Sequence, residues 1–309
     1  MANGYYDTPA PRKGGKRRRN AGNLPKILIL ICIIAVAVIF CKLIFGRGDK
    51  QASADPVQPQ QVQEVKKEYN VPPAAEENDL MKIVREEQGS EAKICYLTFD
   101  DGPTKDVTPK VLDILKKYDV PATFFCLGKM LDANRDIAER AHSEGHLLAN
   151  HSYNHDYNKL YATSDSFMEE IEKTEGIIKE ICGDDVFRLM RFPGGSYNAG
   201  DHAAEKQQYK KVLADAGYYY IDWNCLNGDA EAALRDVDSL VAKVKNTATE
   251  DNIVVLMHDA SAKKTTPDAL GQIIEYLKGE GYEFRRLDEV DYYNNDKAAA
   301  RQKDNSIIL

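Results

Sequence analysis

The chain has 309 residues, 43% of them hydrophobic and 29% charged, with 20 glycines, 12 prolines and six cysteines. That composition is ordinary for a globular chain able to bury a large core, and it excludes collagen-like, disulfide-scaffold and wholly disordered proteins. The formal charge of −8 is unevenly spread: residues 1–48 hold nine basic residues against the single acid Asp7, a local +8, and the remainder carries −16. A short basic end on an acidic body is a topology signal, and it offers no basic face for nucleic acid.

Taken in chain order, residues 1–26 read as a cytoplasmic tail with the basic cluster RKGGKRRR. From Ile27 to Phe45 the sequence is apolar except for Lys42. As a helix it would span roughly 28 Å, enough to cross the hydrocarbon core, with Lys42 snorkelling to the headgroups. Residues 27–45 are therefore expected to form a single-pass transmembrane anchor in the cell membrane. The basic cluster keeps the N-terminus cytoplasmic and puts the rest outside the cell. Cleavage after Ala52-Ser53-Ala54 fits a signal peptide less well, because the apolar run exceeds the usual ~7–15 residues and the site lies far beyond its end. Residues 46–92, rich in Gln, Pro and Val, read as an extracellular stalk, with a short helix near Glu76–Gly89 and order beginning at about Lys93. Residues 291–309 form a C-terminal tail.

Between 93 and 290, apolar runs alternate with helical patterns. The expected strands are ICYLTF, ATFFCLG, HLLAN, FRLMRF, YYYIDW, NIVVLMH and EFRRL. Thr108-Pro109 and Thr266-Pro267 open helices, and Ser166 with Glu169 gives a capping-box pattern before a helix stopped by Gly183. Seven strand–helix alternations predict an α/β fold, a single incomplete (β/α) barrel. Cys95, Cys126, Cys182 and Cys225 show no CxxC spacing; buried thiols are expected, and a Cys95–Cys126 bridge stays open.

In such a barrel the chemistry gathers where strands end. The first strand runs into Asp100-Asp101-Gly102-Pro103, two carboxylates that must be solvated, paired or metal-bound. The third runs into His151 and His155, whose four-residue spacing suits one metal; an Asp with two His leaves a position open for water, as in hydrolytic sites. Arg191 leaves a core strand and needs a carboxylate partner. His258 ends the very apolar IVVLM run, and Asp222 offers a carboxylate to orient it. Trp223, the only tryptophan, could stack on a sugar or plug the barrel. Asp229 in NCLNGDA is a polar residue without a clear role. His142, His146 and His202 read as surface or structural residues.

The constellation resembles the polysaccharide deacetylase family with the NodB homology domain, carbohydrate esterase family 4. Five motifs occur in family order over about Lys93 to Leu287: TFDDGP at 98–103, HSYNH at 151–155, RFPGG at 191–195, DW at 222–223 and LMH at 256–258. The resemblance implies a distorted seven-stranded (β/α) barrel. It implies that Asp101, His151 and His155 bind a divalent metal, most often Zn2+, with Co2+, Mn2+, Ni2+ or Fe2+ as other candidates. It further implies Asp100 as general base, Arg191 orienting it, His258 as general acid and Asp222 holding His258. Gly194 stands where the family commonly has an aromatic; its backbone N–H would serve the oxyanion, and either the groove is more open or Tyr197 substitutes. Leu256 matches the apolar acetyl pocket. The implied activity is removal of N-acetyl groups from a cell-wall or extracellular glycan, foremost the N-acetylglucosamine of peptidoglycan. N-acetylmuramic acid, chitin-type, exopolysaccharide or O-acetylated xylan substrates are the alternatives. A silent glycan-binding module would need neither Asp100 nor His258, and a small-molecule amidase would need no anchor. No motif sets an oligomeric state.

Overall fold

The computed structural model describes residues 78–86, 93–183, 186–197, 202–232 and 234–290. The expected cytoplasmic tail, the 27–45 anchor, the site after Ala54, most of the stalk and the 291–309 tail lie outside the described residues. Among the described residues no helix is long and apolar enough to cross a membrane.

One curled parallel sheet organises the chain. Its strands are β1 (Lys93–Asp100), β2 (Thr123–Cys126), β3 (Leu147–Asn150), β4 (Leu189–Met190), β5 (Tyr219–Tyr220), β6 (Cys225–Leu226), β7 (Asn252–His258) and β8 (Tyr282–Phe284). The order is β5-β4-β3-β2-β1-β7-β6, with β8 against the first residues of β1. Seven strands were expected and, among the described residues, eight are found: YYYIDW supplies only β5, and the following Cys225-Leu226 forms a further short strand beside β7. Around the sheet lie α1 (Leu80–Glu86), α2 (Thr108–Tyr118), α3 (Gly128–Ala133), α4 (Arg135–Ser143), α5 (Tyr157–Leu160), α6 (Ser164–Cys182), α7 (Ala203–Asp215), α8 (Val237–Thr247) and α9 (Thr266–Gly279). The α6 cap differs from expectation by three residues. Thr163 accepts from the Ser166 N–H, and Ser166 returns the bond to the Thr163 N–H, so Ser166 is the third residue of the helix.

Strand side chains alternate, and the alternation separates two apolar layers. Cys95, Leu97, Phe99, Phe124, Leu148, Ile253, Val255 and Met257 pack outward against α2, α4 and α9. Ile94, Tyr96, Phe125, Ala149, Leu189, Tyr219 and Val254 fill the inside. Continuing the inner parity past the apolar residues reaches Asp100, His151, Arg191 and His258 at the C-terminal rim. The same alternation that builds the core thus aims these four polar side chains into one mouth.

Among the described residues no ladder joins β5 to β6, and α1 sits at this opening. The Tyr220 N–H donates to the Asn78 carbonyl at 2.9 Å, and Asn252 Nδ2 donates to the Val84 carbonyl at 2.9 Å, tying the segment to β5 and β7. Leu80 and Val84 are fully buried in the inner layer, each stabilising the fold by about 1.5–3 kcal/mol. Packed structure therefore already includes residues 78–86, ahead of the Lys93 start read from the sequence. Cys95, Cys126 and Cys225 are buried free thiols and Cys182 is a partly buried one. The open Cys95–Cys126 bridge is not formed.

Candidate active site

The DDGP turn, the HSYNH loop and β4 converge at the rim. Asp101 Oδ1 lies 3.7 Å from His151 Nε2 and 3.8 Å from His155 Nε2, and the three ligand atoms form one cluster. These separations exceed hydrogen bonds and approach the ~3.4 Å edge of a tetrahedron with ligands ~2.1 Å from its centre. The backbone is bent to achieve this: Asp101, Ser152 and His155 have φ of 77°, 68° and 60°, a left-handed region unfavourable for residues with a side chain. The His151 Nδ1–H donates to the Arg191 carbonyl at 2.8 Å, which leaves Nε2 with its lone pair toward the cluster. Burial pulls the His151 pKa down to about 3 even though Asp101 raises it, so the ring is neutral, as a metal ligand must be. Two imidazoles and a carboxylate gathered on a shared point fit a divalent cation.

The loop is held from behind by Glu170 on α6, whose carboxylate accepts from the Tyr153 and Asn154 N–H groups at 3.1 and 2.9 Å and from Lys159 Nζ at 2.7 Å. The available signal was its place on the apolar stripe of α6, three residues after Phe167 and beside Ile171, where a carboxylate needs partners.

Asp100 and Arg191 form a buried ion pair, Nη1 donating to Oδ1 at 2.9 Å. The fully buried guanidinium also donates to Thr98 Oγ1 at 2.7 Å and to the Ile221 and Asp222 carbonyls at 3.3 and 3.1 Å. It lies 4.1 Å from the Phe125 ring centroid and 5.7 Å from that of Trp223. The expected carboxylate partner is thus found. Asp100 keeps its second oxygen on the ligand side, 3.8 Å from His151 Nε2. Trp223 is partly buried against the inner core, where it backs the arginine.

His258 pairs in register with Asp100 across β1 and β7, so the two side chains leave adjacent strands on the same face. Its expected partner is corrected. Asp229, not Asp222, holds the ring: Nδ1 and Asp229 Oδ1 are 2.7 Å apart, and Asp229 Oδ2 accepts from the His258 N–H at 2.9 Å and from Thr266 Oγ1 at 2.8 Å. The reason is topological. After Tyr220 the chain leaves β5 and enters β6 beside β7, with Leu226 opposite Leu256, and Asp229 follows that strand directly into His258. Asp222 instead accepts from Ser196, at 2.8 Å from the N–H and 2.6 Å from Oγ, fixing the turn after Arg191. Burial lowers the His258 pKa, but the hydrogen bond and charge of Asp229, with Asp100 and Asp101, raise it to about 9. In Asp229 burial works the other way, and His258 brings the pKa below the usual carboxylate range. His258 is protonated at neutral pH with Nε2 left to act.

Leu256 is buried on the inner parity of β7, two residues before His258. Gly194 has φ 74° in the turn after β4. Tyr197 is 61% exposed, donates to Asp79 Oδ2 at 2.7 Å and lies under Lys210 Nζ. Asp259, beside His258 at the end of the IVVLM run but given no role from the sequence, is fully buried. Thr108 Oγ1 donates to its Oδ2 at 2.6 Å, and burial pushes its pKa up to about 7. It closes on the DDGP turn so tightly that a Cβ on Gly102 would come within 2.0 Å of Oδ2; only glycine fits there. His142 is exposed, and His146 is buried with Nδ1 accepting from the Ala122 N–H. His202 packs on Tyr161.

A family model described as polysaccharide deacetylase matches residues 87–220. A peptidoglycan-N-acetylglucosamine deacetylase of Bacillus cereus is 30% identical over 275 residues, covering 86% of this chain and 93% of that one. One of Listeria monocytogenes is 36% identical over 195 residues, covering 63% of this chain and 38% of the relative. The catalytic domain of peptidoglycan N-acetylglucosamine deacetylase from Eubacterium rectale is similar in structure, with a TM-score of 0.59 at 35% identity over 64% of this chain and 90% of that one.

Proposed function

Because the chain belongs to the polysaccharide deacetylase family, we propose that it hydrolyses the acetamide of N-acetylglucosamine residues in peptidoglycan, with Asp101, His151 and His155 holding a divalent metal. The reading rests on one observation: Asp100, oriented by Arg191, and protonated His258, held by Asp229, stand on neighbouring strands beside that triad. A base and an acid on adjacent sides of one point are what amide hydrolysis requires. Two imidazoles and a carboxylate with room for water favour Zn2+, and Co2+, Mn2+, Ni2+ or Fe2+ suit the same donors.

When bound, such a cation polarises the acetyl carbonyl and makes water more acidic. Asp100 takes the proton from the attacking water. Arg191 keeps the carboxylate from swinging away, and its burial strengthens the pairing. As the C–N bond breaks, His258 gives its Nε2 proton to the amine nitrogen, because an unprotonated amide anion is too basic to leave. Acetate and a free glucosamine amine result. Leu256 lines the acetyl side, Gly194 offers backbone at the mouth, and Trp223 supports the site through Arg191. Asp222 acts at one remove, through Ser196.

In the same proposal residues 27–45 anchor the chain by a single pass with residues 1–26 in the cytoplasm, and the catalytic barrel faces the wall from the outer surface. The nineteen-residue apolar run and the flanking +8 support this reading. The test is acetate release by the purified full-length chain from peptidoglycan, N-acetylglucosamine oligomers and acetylated xylan. Release from peptidoglycan, abolished by Asp100→Asn, is expected. Release from xylan alone would replace the substrate, and glycan binding without acetate would make the chain a silent module.

A further inference from the structure

Gly194 brings no side chain to the turn after β4, and the space one would take is occupied from elsewhere in the chain. A Cβ built on Gly194 would meet Tyr157 Oη at 2.7 Å, while the ring carbons Cζ and Cε1 stand at 3.5 and 3.6 Å. The hydroxyl alone occupies the space a side chain at 194 would take. Tyr157 follows the ligand His155 by two residues and opens α5, whose first turn is capped by Asp156. Its ring meets His155 edge-on at 5.2 Å and stacks on Tyr161 at 5.9 Å and His202 at 6.3 Å. Tyr161 in turn donates to the Pro193 carbonyl at 3.2 Å, and Lys206 Nζ to the Gly195 carbonyl at 2.8 Å. The stack and the 193–195 turn are thus locked together, and yielding is costly on both sides. Tyr157 is nevertheless 38% exposed. Tyr197, the other aromatic of this region, is committed to Asp79 and Lys210.

We propose that Tyr157 supplies, from the loop after His155, the groove wall that Gly194 omits, and that its exposed ring is the surface a sugar of the glycan meets beside the reacting acetamide. The proposal rests on the deacetylase reading for the identity of the ligand. A rigid aromatic held next to the ligand cluster matches the apolar face of a pyranose ring at low entropic cost.

Two measurements on the zinc-loaded full-length chain test it. The first is steady-state acetate release from N-acetylglucosamine oligomers, with oligomer binding by calorimetry alongside. Tyr157→Ala is expected to raise KM and Kd about tenfold, with kcat within about threefold and zinc content unchanged. Unchanged KM and Kd in Tyr157→Ala, or no oligomer binding by the parent chain, overturns the proposal. The second is a double-mutant cycle on the thermal midpoint. Gly194→Ala should cost more with Tyr157 present than in a Tyr157→Phe background, where the nearest atom recedes to ordinary contact; the left-handed backbone cost is common to both and cancels. Equal costs overturn the proposal. A parent chain that binds oligomers but releases no acetate from any glycan fails the deacetylase reading alone, and the Kd and the cycle still decide Tyr157.

Discussion

Replacing Asp229 by asparagine keeps the shape of the His258 contact and removes its charge. The His258 ring is 2.7 Å from Asp229 Oδ1, and its pKa stands near 9 against a usual 6.5 because that bond and charge outweigh burial. Without the carboxylate, burial opposes only the charges of Asp100 and Asp101, and the pKa is expected to fall to about the usual 6.5. At pH 8 a group of pKa 9 is about nine-tenths protonated and one of pKa 6.5 about 3%, so kcat should drop about 30-fold if His258 must give a proton. At pH 6 the same variant should be within about twofold of the parent, since both rings are then mostly charged. The assay is acetate release from N-acetylglucosamine oligomers across pH 5.5–9.5. The parent's alkaline limb should lie near pH 9 and that of Asp229→Asn near 6.5. A loss equal at pH 6 and pH 8 would mean that Asp229 only shapes the site. An unmoved alkaline limb would refute the acid assignment, and Asp222→Asn should leave that limb in place.

Arg191→Met leaves the buried Asp100 without its cation and should cost about 3–5 kcal/mol in urea unfolding as well as abolishing acetate release; a fully stable variant would contradict the pairing. Leu80→Ala should destabilise the barrel by about 2–5 kcal/mol, and a chain started at Lys93 should unfold at lower temperature than one started at Glu64, because α1 is part of the inner core. His146, held neutral by burial with its pKa near 4, binds fewer protons folded than unfolded. Stability is therefore lost as pH falls from 6.5 to 4, by roughly 3 kcal/mol at pH 4. His146→Asn, which offers the Ala122 N–H an oxygen, should flatten that slope in denaturant titrations.

Much of the site could be read from strand parity. The apolar runs before Asp100, His151, Arg191 and His258 fix both a strand and a face, so ordinary core-building alternation exposes the polar residue that ends each strand. Asp229 stayed unassigned because β6 is two residues long, too short for any periodicity, and its position is set by pairing with β7. The contact expected of Asp222 failed for the same reason: adjacency to a strand end says nothing about the strand that intervenes. Glu170 shares the buried stripe of α6 with Phe167, Ile171 and Thr174, so a buried acid was legible there, but its partners in the loop after β3 were not; Tyr157 stands in a four-residue helix too short to show a face. The helix at Leu80–Glu86 was visible as a pattern, but its burial depends on a gap between β5 and β6 that no local sequence announces.

In the proposed mechanism Asp100 and His258 move protons beside a metal held by Asp101, His151 and His155. Acetate release from peptidoglycan by the full-length chain, measured before chelation, after it, and after re-addition of zinc, tests it most directly when Asp100→Asn is run beside the parent. The account predicts release by the parent alone, lost on chelation and restored by zinc, while Asp100→Asn binds zinc and releases nothing. Release that survives chelation, or an active Asp100→Asn, would contradict it.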